Sequence, residues 1–376
     1  MALHYWHFEY IHNTMTPDKD GLLYERVEDA IRADLAAGRI GPDQALPSER
    51  QLAERHGVSR ITVKRALADL IREGALERRP RRKGAFPRPG PEERPTLRMI
   101  AVAIDDVRDS FGSRMLRGIE DYLWDRRIHT LICNADRDFS KVEEYFRSLG
   151  SNAVAGVIFA PVIDEGYAER NRRLVAILER AGIAYTLIDR YIPGLLSNYA
   201  VADHEESSRV LTGRLLDLGY RRILLVRGLP CTSMDGRAAG YAAAHAERGL
   251  RLDKRLVLRA NENLLEPGGA GAEAERLRGR IAAAGRFDCL YALNDRLLRG
   301  AVSCFEALGL PRDGSVPALS HGELSSPPFP GAPSMPHFVE PSYEMGWEAA
   351  RILVEYINDP GKAIVRKVLR SRLVAG

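Results

Sequence analysis

The sequence predicts an α/β chain with two lobes of parallel β-sheet flanked by helices, preceded by a small helical domain that ends in a hairpin. Three observations support this architecture. From residue 98 onward, short apolar runs alternate with amphipathic helical segments, as they do in βαβ units. Before residue 88, three helical patterns and a basic hairpin form a separate group. Between the two parts lies the run PRPGPEERP, which has four prolines and no apolar period.

The composition sets the broad class of the protein. A chain of 376 residues is too long for one ordinary hydrophobic core, so two or three domains are expected. The hydrophobic fraction of 45% and the charged fraction of 28% are those of a soluble globular protein. No apolar run approaches the ~20 residues of a membrane span and no secretory signal is present, so we expect a cytoplasmic protein. The four cysteines have neither metal nor redox spacing, and no cofactor is expected.

Residues 1–20 are expected to form a disordered N-terminal extension. This segment contains His4, His7 and His12, whose spacing raises the question of a metal site. No cysteine or carboxylate pattern completes such a site, so we expect none, and Met15 is an alternative initiator.

The pattern with the most information covers residues 46–86, after a first amphipathic helix over residues 22–37. It reads as two helices, a tight turn and a basic hairpin. Ser48 begins the run Ser-Glu-Arg-Gln, a capping box that starts a helix. Gly57 is suited to end that helix, and Ser59 to cap the next one.

Two helices joined by a three-residue turn have the geometry that lays the second helix in the DNA major groove. The hairpin that follows has a basic tip, which contains Arg82 and Lys83. Residues 21–86 hold 14 Lys and Arg against 10 Asp and Glu, an excess equal to the net charge of +4 of the whole chain. An ordinary helical hairpin with solvated charges is the alternative, which the basic tip disfavours. The candidate DNA contacts of the second helix are Ser59, Arg60, Thr62, Lys64 and Arg65.

The runs LPSER (46–50) and GVSRITVKRAL (57–67) resemble the winged helix-turn-helix of GntR-type bacterial transcription regulators. This resemblance implies a DNA-binding domain over residues 21–87 that binds a double-stranded operator. The wing reads RRKGAF, whereas the family usually has Gly-x-Gly-Thr-Phe, and our hypothesis is that Arg82 enters the minor groove there. By the resemblance, the residues that meet DNA are Arg50, Arg60, Lys64 and Gly84.

A proline-rich linker over residues 88–97 separates this domain from residues 98–376. We expect one lobe over about 98–198 plus 340–360, and another over about 199–335 plus the C-terminal strand. In open parallel sheets, ligands bind beyond the carboxyl ends of the strands. Carboxylates, amides, an arginine and an aromatic ring at those ends suit a polyhydroxylated ligand. The candidates are Asp105, Asp106, Ser110, Phe111, Asn134, Asp136, Asp189, Arg190, Arg237, Asn294, Asp295 and Glu323.

Each candidate also has an ordinary structural interpretation. Asp295 is placed to cap a helix, Asp189 and Arg190 to form a surface turn pair, and Phe111 to enter the core.

Several motifs in this second part resemble the effector domain of LacI/GalR-type repressors, which is similar to periplasmic sugar-binding proteins. They are RGIE (117–120), LIDRYIPGL (187–195), LGYRRI (218–223), GRAAG (236–240), ND (294–295) and EMG (344–346). By this resemblance Arg237, Asn294 and Asp295 bind the sugar. The family usually carries Gly-Phe/Tyr-Asp-Asp after a late strand, where this chain has SHGE (320–323), and Glu323 is the candidate substitute for the absent aspartate.

The two resemblances together imply a homodimeric repressor of sugar-utilisation genes that binds a palindromic operator. A monosaccharide between the lobes would change its operator affinity. A regulator of a non-sugar metabolite, and a sugar-binding module without a DNA switch, are the alternatives. An enzyme is disfavoured because the chain has no Gly-x-Gly-x-x-Gly after the first strand, no P-loop, no His-Glu-x-x-His and no Ser/His/Asp arrangement. A transport binding protein is disfavoured by the attached DNA-binding pattern.

Overall fold

The structure is a computed structural model that describes residues 19–41, 44–79, 84–88, 99–107, 110–149, 154–265, 271–322, 324 and 326–375. The chain divides into two compact units, one ending at Thr96 and the other beginning at Leu97. None of the helices in these ranges has the length and apolar character that a membrane crossing requires. Several predicted features lie outside the described residues: positions 1–18 with their histidines, residues 89–97 of the linker, Arg82, Lys83 and Glu323.

The first unit contains the predicted helix-turn-helix and hairpin. Its elements are α1 (Lys19–Ala36), α2 (Glu49–His56), α3 (Arg60–Arg72) and the antiparallel strands β1 (Leu76–Glu77) and β2 (Phe86–Pro87). The predicted caps are confirmed, because Ser48 and Gln51 form a reciprocal capping box and Gly57 ends α2 with a φ of +64°. The three helices and the hairpin share one core, which includes Val27, Ile31, Leu52, Val63, Leu70 and Leu76.

The second unit shows the predicted alternation of strands and helices. Its first half contains β3 (Met99–Ile104), α4 (Ser110–Trp124), β4 (His129–Asn134), α5 (Phe139–Ser148), β5 (Gly156–Phe159), α6 (Tyr167–Arg180), β6 (Ala184–Ile188), β7 (Tyr199–Ala202), α7 (His204–Asp217), β8 (Ile223–Arg227) and α8 (Thr232–Glu247). Its second half contains β9 (Val257–Arg259), α9 (Ala272–Ala284), β10 (Cys289–Ala292), α10 (Asp295–Ser303), β11 (Ala318–Ser320), β12 (His337–Val339), α11 (Ser342–Asn358), β13 (Arg366–Leu369) and β14 (Arg372–Val374). Short 3₁₀ turns lie at Lys254–Leu256, Glu262–Leu264 and Glu306–Leu308.

Two parallel sheets organise this unit. The first lobe is built on six strands in the order β13-β7-β6-β5-β3-β4, and the second lobe on four strands in the order β11-β10-β8-β9. In β3, Ile100 and Val102 pack with α4 and α11, whereas Ala101 and Ala103 pack with α5 and α6. Both faces of the sheet are therefore covered, which explains why its central strands are apolar throughout.

The chain crosses between the lobes three times: from β7 to α7, from β12 to α11, and from β13 to β14. These crossings correct the predicted lobe boundaries. Residues 199–202 and the strand at 366–369 were assigned to the second lobe, but β7 pairs with β6 and β13 inside the first sheet. Local patterns do not reveal this pairing because its partners are far apart in the chain: Val365 N donates to Asn198 Oδ1 at 2.8 Å across 167 residues.

Candidate functional site

The exposed face of α3 carries cations that were predicted to meet DNA. Arg60 and Lys64 are exposed, and no carboxylate in the described ranges lies within ion-pair distance of either. Arg65 is also exposed, and its guanidinium lies 4.1 Å from the centroid of the Tyr24 ring on α1. Because Arg60 and Lys64 give up no internal ion pair, both are available to phosphates and base edges.

Ser59 and Thr62 form the hydrogen-bonded cap at the start of α3. Thr62 N donates to Ser59 Oγ at 3.1 Å, and the two hydroxyl oxygens are 2.8 Å apart. Thr62 is only 8% exposed. This corrects the prediction of a DNA contact by Thr62, because its hydroxyl is used inside the helix cap.

Two further predicted positions lie outside α3. Arg50 on α2 is exposed, and its Nη1 lies 3.0 Å from Glu54 Oε1. An exposed pair at this helical spacing contributes only ~0.3–0.5 kcal/mol, so Arg50 can exchange it for a phosphate at little cost. Gly84 has a φ of +112°, and a Cβ there would lie 3.3 Å from Ala45 Cβ, so the backbone requires glycine.

Ile61 was missed by the sequence analysis. It lies in the first turn of α3 between the exposed cations, and it is 81% exposed. The available signal was an apolar residue placed off the buried stripe of this helix. Apolar side chains in a major groove contact the thymine methyl group, so Ile61 adds base-reading chemistry that the cations lack.

In the second unit, an ion pair joins two strand ends of the first lobe. Arg190, which follows β6, donates from Nη2 to Asp105 Oδ2 at 2.7 Å, and Asp105 follows β3. Arg190 Nη1 lies 3.4 Å from Asp189 Oδ2. Asp189 has a φ of +65°, and burial raises its pKa to about 6, although Arg190 opposes the shift. Asp189 and Arg190 are both buried, so they are not the surface turn pair of the alternative interpretation.

The other predicted residues of the first lobe have different surroundings. Asn134 Nδ2 donates to Asp136 Oδ1 at 2.7 Å, and Asp136 pairs with Lys141, whose hydrogen bond lowers the pKa of that carboxyl. Ser110 is exposed at the start of α4. Phe111 is half-buried and packs against the core between α4 and α11, as its structural interpretation predicts.

In the second lobe, Arg237 lies on α8 and is buried. Its Nη1 donates to the Leu293 carbonyl oxygen at 2.6 Å, just before Asn294 and Asp295. Asn294 caps α10, because Leu297 N donates to its Oδ1 at 2.8 Å. Asp295 Oδ2 accepts from Arg299 Nε at 3.0 Å.

Three residues at this site were not predicted: His204 and Glu262, which are buried, and Glu340, whose side chain is 11% exposed. Arg237 Nη2 donates to Glu340 Oε1 at 2.5 Å, and His204 Nε2 lies 3.2 Å from the Asp189 carbonyl oxygen. Glu262 Oε2 accepts from Leu229 N at 2.9 Å. Burial lowers the pKa of His204 far below its ordinary value, and burial raises the pKa of Glu262.

The cleft between the lobes is marked by buried polar atoms that have no hydrogen-bond partner in the described ranges. Leaving such an atom unpaired costs ~1–3 kcal/mol, so a cluster of them indicates a ligand site. Two hydrogen bonds join the lobes directly. Tyr191 N donates to Thr232 Oγ1 at 3.1 Å, and Asn263 Nδ2 donates to the Ile163 carbonyl oxygen at 2.8 Å. The described ranges hold thirteen such atoms, and six of them belong to residues that follow strands of the two lobes or lie on α8: Asp105 Oδ1, Arg190 Nε, His204 Nδ1, Arg237 Nε, Glu262 Oε1 and Asp295 Oδ1.

Comparison with known proteins finds family matches in both units. Residues 23–86 match the family model of bacterial regulatory proteins of the gntR family, and residues 212–376 match that of the periplasmic binding protein-like domain. The chain is 23% identical over 339 residues to the arabinose metabolism transcriptional repressor of Geobacillus stearothermophilus. That alignment covers 89% of this chain and 91% of the relative.

Two solved structures share the fold. The complex of the transcriptional regulator CelR with cellobiose has a TM-score of 0.60 at 21% identity, over 88% of this chain and 99% of that one. A LacI family transcriptional regulator from Enterococcus faecium with bound ribose has a TM-score of 0.56 at 20% identity, over 74% of this chain and 97% of that one. The two-lobed fold of this chain is therefore shared with regulators whose structures contain a sugar.

Proposed function

Because the chain joins a gntR-family DNA-binding domain to a periplasmic binding protein-like domain, we propose that it is a ligand-responsive transcriptional repressor of sugar-utilisation genes. A small sugar bound between the lobes changes its affinity for an operator. The protein acts in the cytoplasm, where it meets chromosomal DNA, and catalysis forms no part of the proposal.

The DNA-binding part of the proposal rests on α3. Arg60, Lys64 and Ile61 combine donors, positive charge and an apolar contact in and beside the first turn of one exposed helix, which is what major-groove readout needs. Arg65 lies on this helix and Ser59 caps it. Arg50 on α2, Gly84 before β2 and the wing cations Arg82 and Lys83 extend the proposed contacts. One recognition helix covers one half-site, so a homodimer on a palindromic operator is the arrangement we propose.

The observation that supports a sugar effector is the set of six unpartnered polar atoms in the cleft. They include donors on two arginines and acceptors on three carboxylates. A sugar hydroxyl both donates and accepts a hydrogen bond, so one polyhydroxylated molecule can satisfy both kinds. The proposed ligand-binding residues are Asp105, Asp189, Arg190, Arg237 and Asp295. The proposal also retains Ser110, Phe111, Asn134, Asp136, Asn294 and Glu323 as candidates.

The effector changes DNA binding only if it has different affinities for two arrangements of the lobes. The three crossings make such a difference possible, because a change of angle between the lobes must be absorbed at β7–α7, β12–α11 and β13–β14. A sugar that bridges Arg190 of the first lobe and Arg237 of the second would favour one arrangement over the others.

The test is fluorescence anisotropy of the full chain on its own upstream DNA at fixed salt. The probes are L-arabinose, D-ribose, D-galactose and cellobiose, and D-galacturonate serves as a sugar acid. We expect one of them to change operator affinity by about tenfold, which is ~1.4 kcal/mol of coupling. Tight DNA binding without any sugar response would favour a non-sugar metabolite. A sugar that binds without changing operator affinity would favour a sugar-binding module without a DNA switch.

A further inference from the structure

Glu340 lies on one of the three crossings, between the end of β12 and the start of α11. It precedes Pro341, and the chain passes here from the second lobe back to the first. The side chain of Glu340 is 11% exposed, so its carboxylate is held inside the molecule. A charged group on a crossing interacts electrostatically with both lobes.

The carboxylate of Glu340 faces the cleft residues of the second lobe. Oε1 lies 2.5 Å from Arg237 Nη2 and 3.7 Å from His204 Nδ1. A Cβ placed on Gly322 would lie 3.3 Å from Oε2, so this oxygen stands beside the end of β11. Oε2 makes no hydrogen bond with any described residue.

The carboxylate that lies beside Gly322, shortly after β11, therefore comes from the crossing between the lobes. The Glu340 carboxylate already orients Arg237, which is predicted to bind the ligand. Arg237 balances the negative charge of Glu340. His204 adds no positive charge, because burial and the nearby Arg237 lower its pKa and keep it neutral.

We propose that Glu340 is an effector-binding carboxylate of the cleft and that it couples the ligand to the lobe crossing. The inference rests on the proposed function and names one of its contacts. Oε2 accepts a hydrogen bond from a sugar hydroxyl, and Arg237 Nε donates to the same or a neighbouring oxygen. Because Asp105 and Asp189 also face this region, the ligand presents uncharged hydroxyl groups to Glu340 and not a carboxylate.

The test is isothermal titration calorimetry of the full chain with L-arabinose, D-ribose, D-galactose, cellobiose and D-galacturonate. The variant Glu340→Gln keeps an acceptor for Arg237 but removes the charge. Its matched control is Glu344→Gln, which removes the same charge from an exposed position on α11. For the neutral sugar that binds the wild type, we expect at least tenfold weaker binding by E340Q and a change below twofold in E344Q. Without sugar, E344Q should bind operator DNA as the wild type does.

The outcomes separate the inference from the function on which it rests. If E340Q binds the sugar as tightly as the wild type does, Glu340 is not a ligand contact, while the repressor proposal stands. If D-galacturonate binds more tightly than the neutral sugars, the inferred ligand class is wrong. If the wild type binds none of the five probes, the sugar proposal fails and the inference fails with it. Should E340Q melt early, Glu340→Asp retracts the charge by one methylene, and unchanged sugar binding by E340D would equally overturn the inference.

Discussion

Gly118 of α4 and Gly346 of α11 lie against each other's helix where the two helices cross. A Cβ on Gly118 would be 2.0 Å from the Tyr343 carbonyl oxygen, and a Cβ on Gly346 would be 2.0 Å from the Met115 carbonyl oxygen. The two backbones therefore touch, and the position of α11 on the first lobe is set by this contact. Since α11 begins directly after the crossing that carries Glu340, the same contact positions that carboxylate.

We expect Gly118→Ala to lower the free energy of unfolding of the second unit by about 3 kcal/mol or more, because its methyl group has no space against backbone atoms. The matched control is Gly279→Ala on α9, where nothing lies within 4 Å of the position that the added methyl group would take. A helical glycine with open space gains ~1 kcal/mol on change to alanine, so this variant should be slightly more stable. Chemical denaturation of both variants measures the difference, and equal midpoints would contradict the close crossing.

The recognition helix predicts a salt-dependent effect on DNA binding. Lys64→Ala should weaken binding to specific and random DNA alike and reduce the slope of log K against log salt by about one ion, because it removes one phosphate contact. Arg72→Ala is the control, since Arg72 ends the same helix and is paired with Asp69. Anisotropy titrations at several salt concentrations measure the slopes. If K64A has the same slope of log K against log salt as the wild type, Lys64 does not contact a phosphate.

Arg60 is expected to act on sequence preference. Arg60→Ala should weaken operator binding by ~1–3 kcal/mol and relax the preference at one base pair, because a guanidinium in the first turn of α3 is suited to bind guanine bidentately. Competition between operator variants measures this preference. An equal loss of affinity on operator and random DNA would instead assign Arg60 to a phosphate.

Substitution of Ile61 tests the apolar contribution of the exposed face of α3 to DNA binding. Ile61→Ala should leave thermal stability unchanged, because the side chain is 81% exposed in the free protein. Operator affinity should fall by about 1 kcal/mol at a site with thymine, and replacing that thymine by uracil should cost the wild type a similar amount, since uracil lacks the methyl group. Insensitivity of the wild type to uracil at every position would contradict the contact.

The raised pKa of Asp189 predicts that the free energy of unfolding depends on pH. Its folded pKa of about 6 lies above the ordinary value of 3.8, so the folded state binds more protons than the unfolded state in this range. The contribution of Asp189 to the free energy of unfolding therefore falls as pH rises from about 4 to about 6, by ~3 kcal/mol for a shift of this size. Asp189→Asn removes this effect and tolerates the left-handed backbone. Denaturation of both proteins at pH 4 and pH 7 measures the difference, and parallel pH profiles would contradict the raised pKa.

The cleft shows which residues local sequence patterns can propose and which they cannot. Asp189, Arg190 and Arg237 were proposed because they follow strands or stand in short motifs, which are local features. Glu340 was not found, since it follows a short strand that pairs with β14, and nothing nearby in sequence links it to Arg237. Thr62 was proposed as a DNA contact because its hydroxyl suits one, but the hydroxyl is buried in the cap of α3.

Local sequence patterns were sufficient to predict the order of the domains, the capped helices of the DNA-binding unit and the alternation of strands and helices, because caps, turns and apolar periods act over a few residues. Other features depend on tertiary packing. The pairing of β7 with β13, the reciprocal contact of Gly118 and Gly346, and the meeting of Arg237 with Glu340 all join segments more than a hundred residues apart. Such contacts depend on how whole faces pack against each other, and no local pattern encodes that information.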